Sequence, residues 1–156
     1  LKIILLTCQS ANERWSEIAS DLYTQKISAF VNFEIVRKAP KKNSRENSEQ
    51  KKKSDSELLM STLKTDDYVI LFDERGSSLS SEDLSKKIEL AQNSSKKRIV
   101  FIIGGAFGVT EELMSRAQLK VSLSKMVFNH LVAEVVALEQ IYRGYTILRN
   151  LPYHNQ

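Results

Sequence analysis

Gly104, Gly105 and Gly108 stand directly behind the apolar run Ile99 to Ile103, a combination of residue types suited to holding a ligand. The run is too short for a helix and rich in β-branched residues, so it reads as a strand covered on both faces. The glycines are expected to take positive φ and to let a ligand approach without meeting a Cβ. In open α/β sheets, ligands gather at the carboxyl ends of strands, beside such turns. Two phosphate-binding schemes do not fit. A P-loop needs Lys and then Ser or Thr after its last glycine, and here Val109 and Thr110 follow. A dinucleotide fingerprint belongs to the first strand-turn-helix unit, with an acidic residue about 20 positions on, whereas this turn comes late and leads to Lys120 and Val121. The pattern alone leaves open a ligand site or a structural tight turn.

A second chemical feature is charge. The net charge is +4, but Arg37, Lys38, Lys41, Lys42, Arg45, Lys51, Lys52 and Lys53 crowd one polar stretch, opposed only by Glu46 and Glu49. Such an arm neutralises phosphates and attracts nucleic acid without regard to sequence; a solvated loop and helix start is the plainer alternative. The single cysteine, Cys8, ends an apolar run. It excludes an intrachain disulfide and reads as a packed thiol in a reducing compartment, so a cytoplasmic location is expected. Residues 1–7 are too short for a signal-peptide core, and no stretch reaches the roughly 18 apolar residues of a membrane span.

The elements that must position these residues alternate along the chain. The 156 residues suit one domain with a single sizeable core. Lys2 to Thr7 reads as a strand. Asn12 to Phe30, with Trp15, Ile18, Ala19, Leu22 and Tyr23 at helical spacing, reads as a helix. Phe33 to Arg37 is a second strand, Ser54 to Leu63 the apolar end of a second helix, and Tyr68 to Phe72 a third strand. Ser80 opens a helix through Ala91, with Asp83 three residues on. After the strand at 99–103, Thr110 caps a short acidic-fronted helix, and Val121 to Leu123 is a last strand. Leu131 to Leu148 is apolar around more than one face, which predicts burial against its own sheet and a second subunit. Five parallel strands with crossover helices give a three-layer α/β domain.

Three late segments narrow the reading: Ile103-Gly-Gly, Ser124-Lys-Met-Val-Phe-Asn-His130, and Glu139-Gln-Ile-Tyr-Arg143 with Pro152-Tyr-His154. Together with Lys2-Ile3 and Asp73-x-x-Gly76, this set closely resembles the ribosomal large subunit methyltransferase H family, of the SPOUT class, over essentially the whole chain. The resemblance implies a homodimer whose carboxyl-terminal part threads a trefoil knot, an exception to the unknotted-chain rule. It implies transfer of a methyl group from S-adenosyl-L-methionine to N3 of a pseudouridine in helix 69 of 23S rRNA, on the assembled 70S ribosome and without a metal.

Carried over by motif, the cofactor contacts are Phe72, Gly104 and Gly105, and the loop residues Leu123, Ser124, Lys125, Met126, Val127 and Phe128. His130 is the leading candidate for a catalytic or substrate role, against a helix-cap or packing role. His154 is expected to reach the neighbouring protomer's pocket. Arg143 is a candidate for holding phosphate or carboxylate, and Glu139 is placed to pair with it at i,i+4. Two residues depart from the family pattern: Asn129 replaces a proline and Glu134 an arginine. Glu134 would repel RNA, unless it serves as a base or turns to a lysine such as Lys125. It motivates an alternative reading, a dimer that binds ribosomes or the cofactor without turnover.

Overall fold

The computed structural model describes residues 1–9, 13–42 and 45–155. Its strands are β1 (Lys2–Cys8), β2 (Asn32–Lys38), β3 (Asp67–Ser78), β4 (Arg98–Ile103) and β5 (Leu119–Ser122). Its helices are α1 (Arg14–Ser28), α2 (Ser48–Thr62), α3 (Ser81–Gln92), α4 (Glu111–Arg116) and α5 (His130–Leu148). Asn12, the expected start of the first helix, lies outside the described residues. All pairings between strands are parallel, in the order β2-β1-β4-β3-β5.

Alternation along the three central strands explains the layers. Ile3 and Leu5, Ile70 and Phe72, Ile99 and Phe101 point to one core with α1, α3 and α5. Ile4 and Leu6, Val69 and Leu71, Val100 and Ile102 point to the other, with α2 and α4. Burial on both faces is why these strands read as unbroken apolar runs. Neighbours β4 and β3, and likewise β4 and β1, send their chains to opposite faces, so crevices open beyond their carboxyl ends.

Helix starts follow the capping chemistry. Ser80 Oγ accepts from the Asp83 N–H at 3.0 Å and Thr110 Oγ1 from the Leu113 N–H at 3.3 Å. Asn47 and Gln50 form a reciprocal capping box, each bond 2.9 Å, which starts α2 well before Ser54.

Three expectations change. On α1, Trp15, Ile18 and Leu22 face solvent, 46–57% exposed, while Ser16, Ser20 and Ile27 face inward. The small serines allow close approach to α5, where Ser20 hydrogen-bonds Glu134. The apolar width of α5 is largely used within the chain, since α5 packs between α1 and α3 over the sheet. Finally, β5 starts at Leu119 and leaves the sheet before Leu123. Gln118 opens the pairing early, through its N–H to the Val69 carbonyl (3.0 Å) and its side-chain oxygen to the Val69 N–H (2.7 Å).

β3 outruns the expected strand. Val121 pairs with both Phe72 and Ser77, so residues 73–76 bulge outward and the chain returns across β5. A Cβ on Gly76 would lie 2.5 Å from the Val121 nitrogen, so this backbone crossing admits only glycine.

At the opposite edge of the sheet, Arg98 at the start of β4 grips Asp67 at the start of β3 with two bonds of 2.7 and 2.6 Å, and the Lys64 N–H adds a third at 2.7 Å. Burial alone would raise the Asp67 pKa, but these donors outweigh it and hold the carboxyl below its ordinary 3.8. Arg98→Ala should therefore cost about 3–5 kcal/mol at neutral pH. A depressed carboxylate contributes stability above its unfolded pKa and loses it as pH falls toward the folded one. Urea unfolding should thus show a wild-type advantage that is full at pH 7 and shrinks below 3.8.

Candidate active site

Beyond the carboxyl ends of β3 and β4 lies a cleft of about 620 Å³. One wall is the 103–109 turn, the other the loop from Leu123 to His130, and Phe72, the last residue of β3 before its bulge, lies between them. Of the nine residues expected to contact a cofactor, Phe72, Gly104, Gly105, Leu123, Ser124, Met126, Val127 and Phe128 line this cleft; Lys125 does not.

The turn works differently from its sequence reading. Only Gly108 has positive φ (83°), and its N–H closes the turn on the Gly105 carbonyl at 3.1 Å. Gly104 and Gly105 are needed for close packing within the protein. A Cβ on Gly104 would lie 2.5 Å from Val109 Cγ1, and one on Gly105 would strike the Asp55 carboxylate. Asp55 reaches the turn from α2, and the neighbouring Ser56 hydroxyl accepts from the Thr110 N–H at 3.0 Å, which fixes α2 against the start of α4.

The opposite loop is shaped by its own hydroxyls. Ser124 Oγ accepts from the Met126 N–H at 2.9 Å, and Ser122 donates to the Ser124 carbonyl at 3.0 Å. Met126 and Val127 are left 73% and 85% exposed at the mouth, so apolar surface stands ready for a ligand. Asn129 Oδ1 accepts from the Leu131 N–H at 2.9 Å and caps α5, so the cap belongs to Asn129 and His130 is exposed beside the cleft.

The bulge from β3 forms the rim. Asp73 and Glu74 line the cleft. Arg75 pins the bulge with bonds to Asp73 (2.9 Å), Glu111 (2.8 Å) and the Val109 carbonyl (3.2 Å). Burial would raise the Asp73 pKa, yet the Arg75 bonds outweigh it and keep Asp73 ionised well below the usual range.

Arg143 and His154 lie elsewhere in the chain, between α3 and α5, and neither lines the cleft. Arg143 pairs with Glu139 as the i,i+4 spacing predicts. It donates to His154 Nδ1 at 3.1 Å, and His154 Nε2 meets Glu82 at 2.9 Å. Arg143 can only donate, so Nδ1 accepts from it, and Nε2 faces the Glu82 carboxylate. Tyr153 stacks on the Arg143 guanidinium (4.7 Å) and donates to Glu139 (3.1 Å); burial, then Glu139, pushes its pKa up to about 12.

Glu134 also points away from the cleft. It is buried beneath α1 and β2, where it accepts from Ser20 (2.9 Å) and pairs with Arg37 (3.1 Å) rather than Lys125. Arg37 is thereby withdrawn from the basic stretch, whose residues 43–44 lie outside the described part.

Several residues around the site have no signal in the sequence. Asp55 and Arg75 come from α2 and the β3 bulge, and only folding sets them near the glycine turn that carries Phe107.

The fold and the cleft between two late loops define a class, and comparison with known proteins agrees. A family model described as "Predicted SPOUT methyltransferase" matches residues 1–154. A solved structure of a probable methylase family protein from Haemophilus influenzae Rd KW20 superposes with a TM-score of 0.56 at 12% identity, covering 99% of this chain and 70% of that one; it shows the fold alone. Proteins called Ribosomal RNA large subunit methyltransferase H are 52% identical in Bdellovibrio bacteriovorus (99% of both chains) and 38% identical in Flavobacterium johnsoniae (100% of both). The chain belongs to the ribosomal RNA large subunit methyltransferase H family of SPOUT proteins.

The contact between Gly105 and Asp55 gives a test of the site's packing. Gly105→Ala should destabilise by about 1–3 kcal/mol through overpacking. In Gly105→Ala/Asp55→Ala most of that loss should vanish, read as a coupling energy in a double-mutant cycle by chemical denaturation.

Proposed function

We propose that the protein, a single methyltransferase domain, acts in the cytoplasm as a homodimer and methylates N3 of a pseudouridine in helix 69 of 23S rRNA, on the assembled 70S ribosome, with S-adenosyl-L-methionine as donor. The observation that carries this reading is the juxtaposition of the 104–108 turn and the 123–130 loop around one cleft. Its volume lies within the roughly 300–1,000 Å³ of small-molecule sites. Phe72 and Leu123 offer apolar faces to a purine, and Asp73 and Glu74 offer carboxylates to hydroxyls or an ammonium group. The two loops add backbone N–H and C=O groups. Bound there, the donor supplies an electrophilic methyl carbon on a sulfonium.

The chain's own residues supply alignment, which governs an in-line displacement. In a dimer, the tail carrying Tyr153 and His154 would face the partner's cleft, with Arg143 held in place by Glu139. Trp15, Ile18 and Leu22, exposed along one stripe of α1, give a second copy apolar surface to cover. The close crossing at Gly76 and Val121 is compatible with a chain drawn tight in a knot. The alternative, a binder without turnover, rested on Glu134, whose charge is spent on Arg37 and Ser20 outside the cleft.

Incubation of 70S particles from a strain lacking this protein with methyl-labelled donor should label one pseudouridine; donor binding by calorimetry with no transfer would reject the reading. Arg143→Ala should lower kcat by about 10²–10³ while leaving donor affinity intact. Lys51, Lys52 and Lys53, changed together to Glu, should weaken ribosome binding and flatten its dependence on salt. An unchanged salt slope would exclude a role for this arm in docking.

A further inference from the structure

A second cavity of about 240 Å³ lies on the other side of the glycine turn, beyond the carboxyl end of β1. Ala106, Phe107 and His130 are walls of both cavities, so occupants of the two would be immediate neighbours. Cys8 and Asp55 also line the smaller one, with Lys41, Lys42 and Lys51 around them. We propose, on the methyltransferase reading above, that this cavity receives the nucleobase to be methylated, with Phe107 as its stacking surface and Asp55 as the acceptor of its imide proton.

Size is the first argument. The cavity falls below the roughly 300–1,000 Å³ typical of whole small-molecule ligands, which suits one flat base whose sugar and phosphates stay outside. Charge is the second. Lys41 and Lys42 are exposed where those phosphates would trail, and Lys51 Nζ lies 5.4 Å from the Phe107 ring centroid. The ring itself is 44% exposed, an uncovered aromatic beside cations, the combination by which proteins hold unpaired bases.

The third argument is the state of Asp55. It is only 8% exposed, and its partners are weak: the Cys8 thiol hydrogen-bonds to it and Lys51 attracts it, while Glu46 repels it. Burial, the largest effect, raises its pKa, which makes it a stronger base than a solvated aspartate. Cys8 stays protonated, its pKa pushed up to about 12 by burial and then by Asp55, so it acts as a donor and not as a nucleophile.

The step balances. The N3–H bond breaks, the proton passes to an Asp55 oxygen, and the electron pair left on nitrogen forms the new N–C bond. As that bond forms, the C–S bond breaks, its pair returns to sulfur, and a neutral thioether leaves.

The test uses the full-length protein and 70S particles lacking the modification. Asp55→Asn should lower kcat at least about a hundredfold with donor affinity unchanged by calorimetry. Its melting temperature should be equal or higher, because a buried charge with weak partners is removed. The wild-type pH profile should show an acid limb that this variant lacks; Cys8 on β1, Glu46 and Lys51 on the α2 side, Lys41 and Lys42 after β2, and His130 on α5 remain to titrate in both. A variant within threefold of wild-type kcat overturns the proposal. So does loss of ribosome affinity in Lys41→Ala/Lys42→Ala with Asp55→Asn fully active, which would make the cavity a phosphate seat. Should Asp55→Asn not fold, Phe107→Ala decides: a rise of about tenfold in KM for 70S particles supports stacking, and an unchanged KM overturns it. Failure of the wild-type protein to bind adenosylmethionine would instead sink the underlying methyltransferase reading.

Discussion

At the carboxyl edge of the sheet, three neighbouring segments approach one another more closely than a β-carbon permits. Gly76 lies against the backbone of β5, Gly104 against Val109, and Gly105 against the Asp55 carboxylate. The first and third of these approaches bring together parts of the chain that are distant in sequence, and the second tightens the glycine turn on itself. The bulge of β3 is drawn over β5, the glycine turn is drawn onto α2, and the space left beyond β3 and β4 becomes the cleft. A side chain at any of these positions would separate the walls and widen the site.

Three inward-facing carboxylates show how the same fold can either quench or preserve reactivity. Asp67 is gripped by both arms of Arg98 and lies at the edge of the sheet far from the cleft. Glu134 is tied to Arg37 and Ser20 under α1, though Glu134 Oε1 and Arg37 Nε have no hydrogen-bond partner among the described residues. Asp55 meets the Cys8 thiol, is attracted by Lys51 and repelled by Glu46, and lines the second cavity. Perturbed groups in cavities are where function concentrates, because strong pairing stabilises a charge and also removes its basicity.

Much of the fold was legible in the sequence. Apolar runs marked β1, β2 and β4 to within a residue or so, and Ser80 and Thr110 marked their helices, because strands and caps depend on residues a few positions apart. The stripe on α1 misled: Trp15, Ile18 and Leu22 have helical spacing, but periodicity does not say which side the sheet lies on, and Ser16 and Ser20 take the inner face to admit α5. The extension of β3 to Ser78 was likewise hidden, since residues 73–76 are polar and their placement depends on Arg75 reaching α4.

For the site, the sequence by itself determined where the chain must turn sharply, which loop precedes α5, and which family motifs the chain carries. It also determined the pairing of Glu139 with Arg143, because helical geometry alone brings positions four apart together. Only the tertiary structure decided why Gly104 and Gly105 are glycines, that Glu134 spends its charge on Arg37, and that Asp55 stands beside the glycine turn. The contact of Gly104 with Val109 lies within one turn, but Asp55 meets Gly105 across 50 positions and Arg37 meets Glu134 across 97. No local pattern encodes the two distant contacts, because they exist only once both faces of the sheet have been covered.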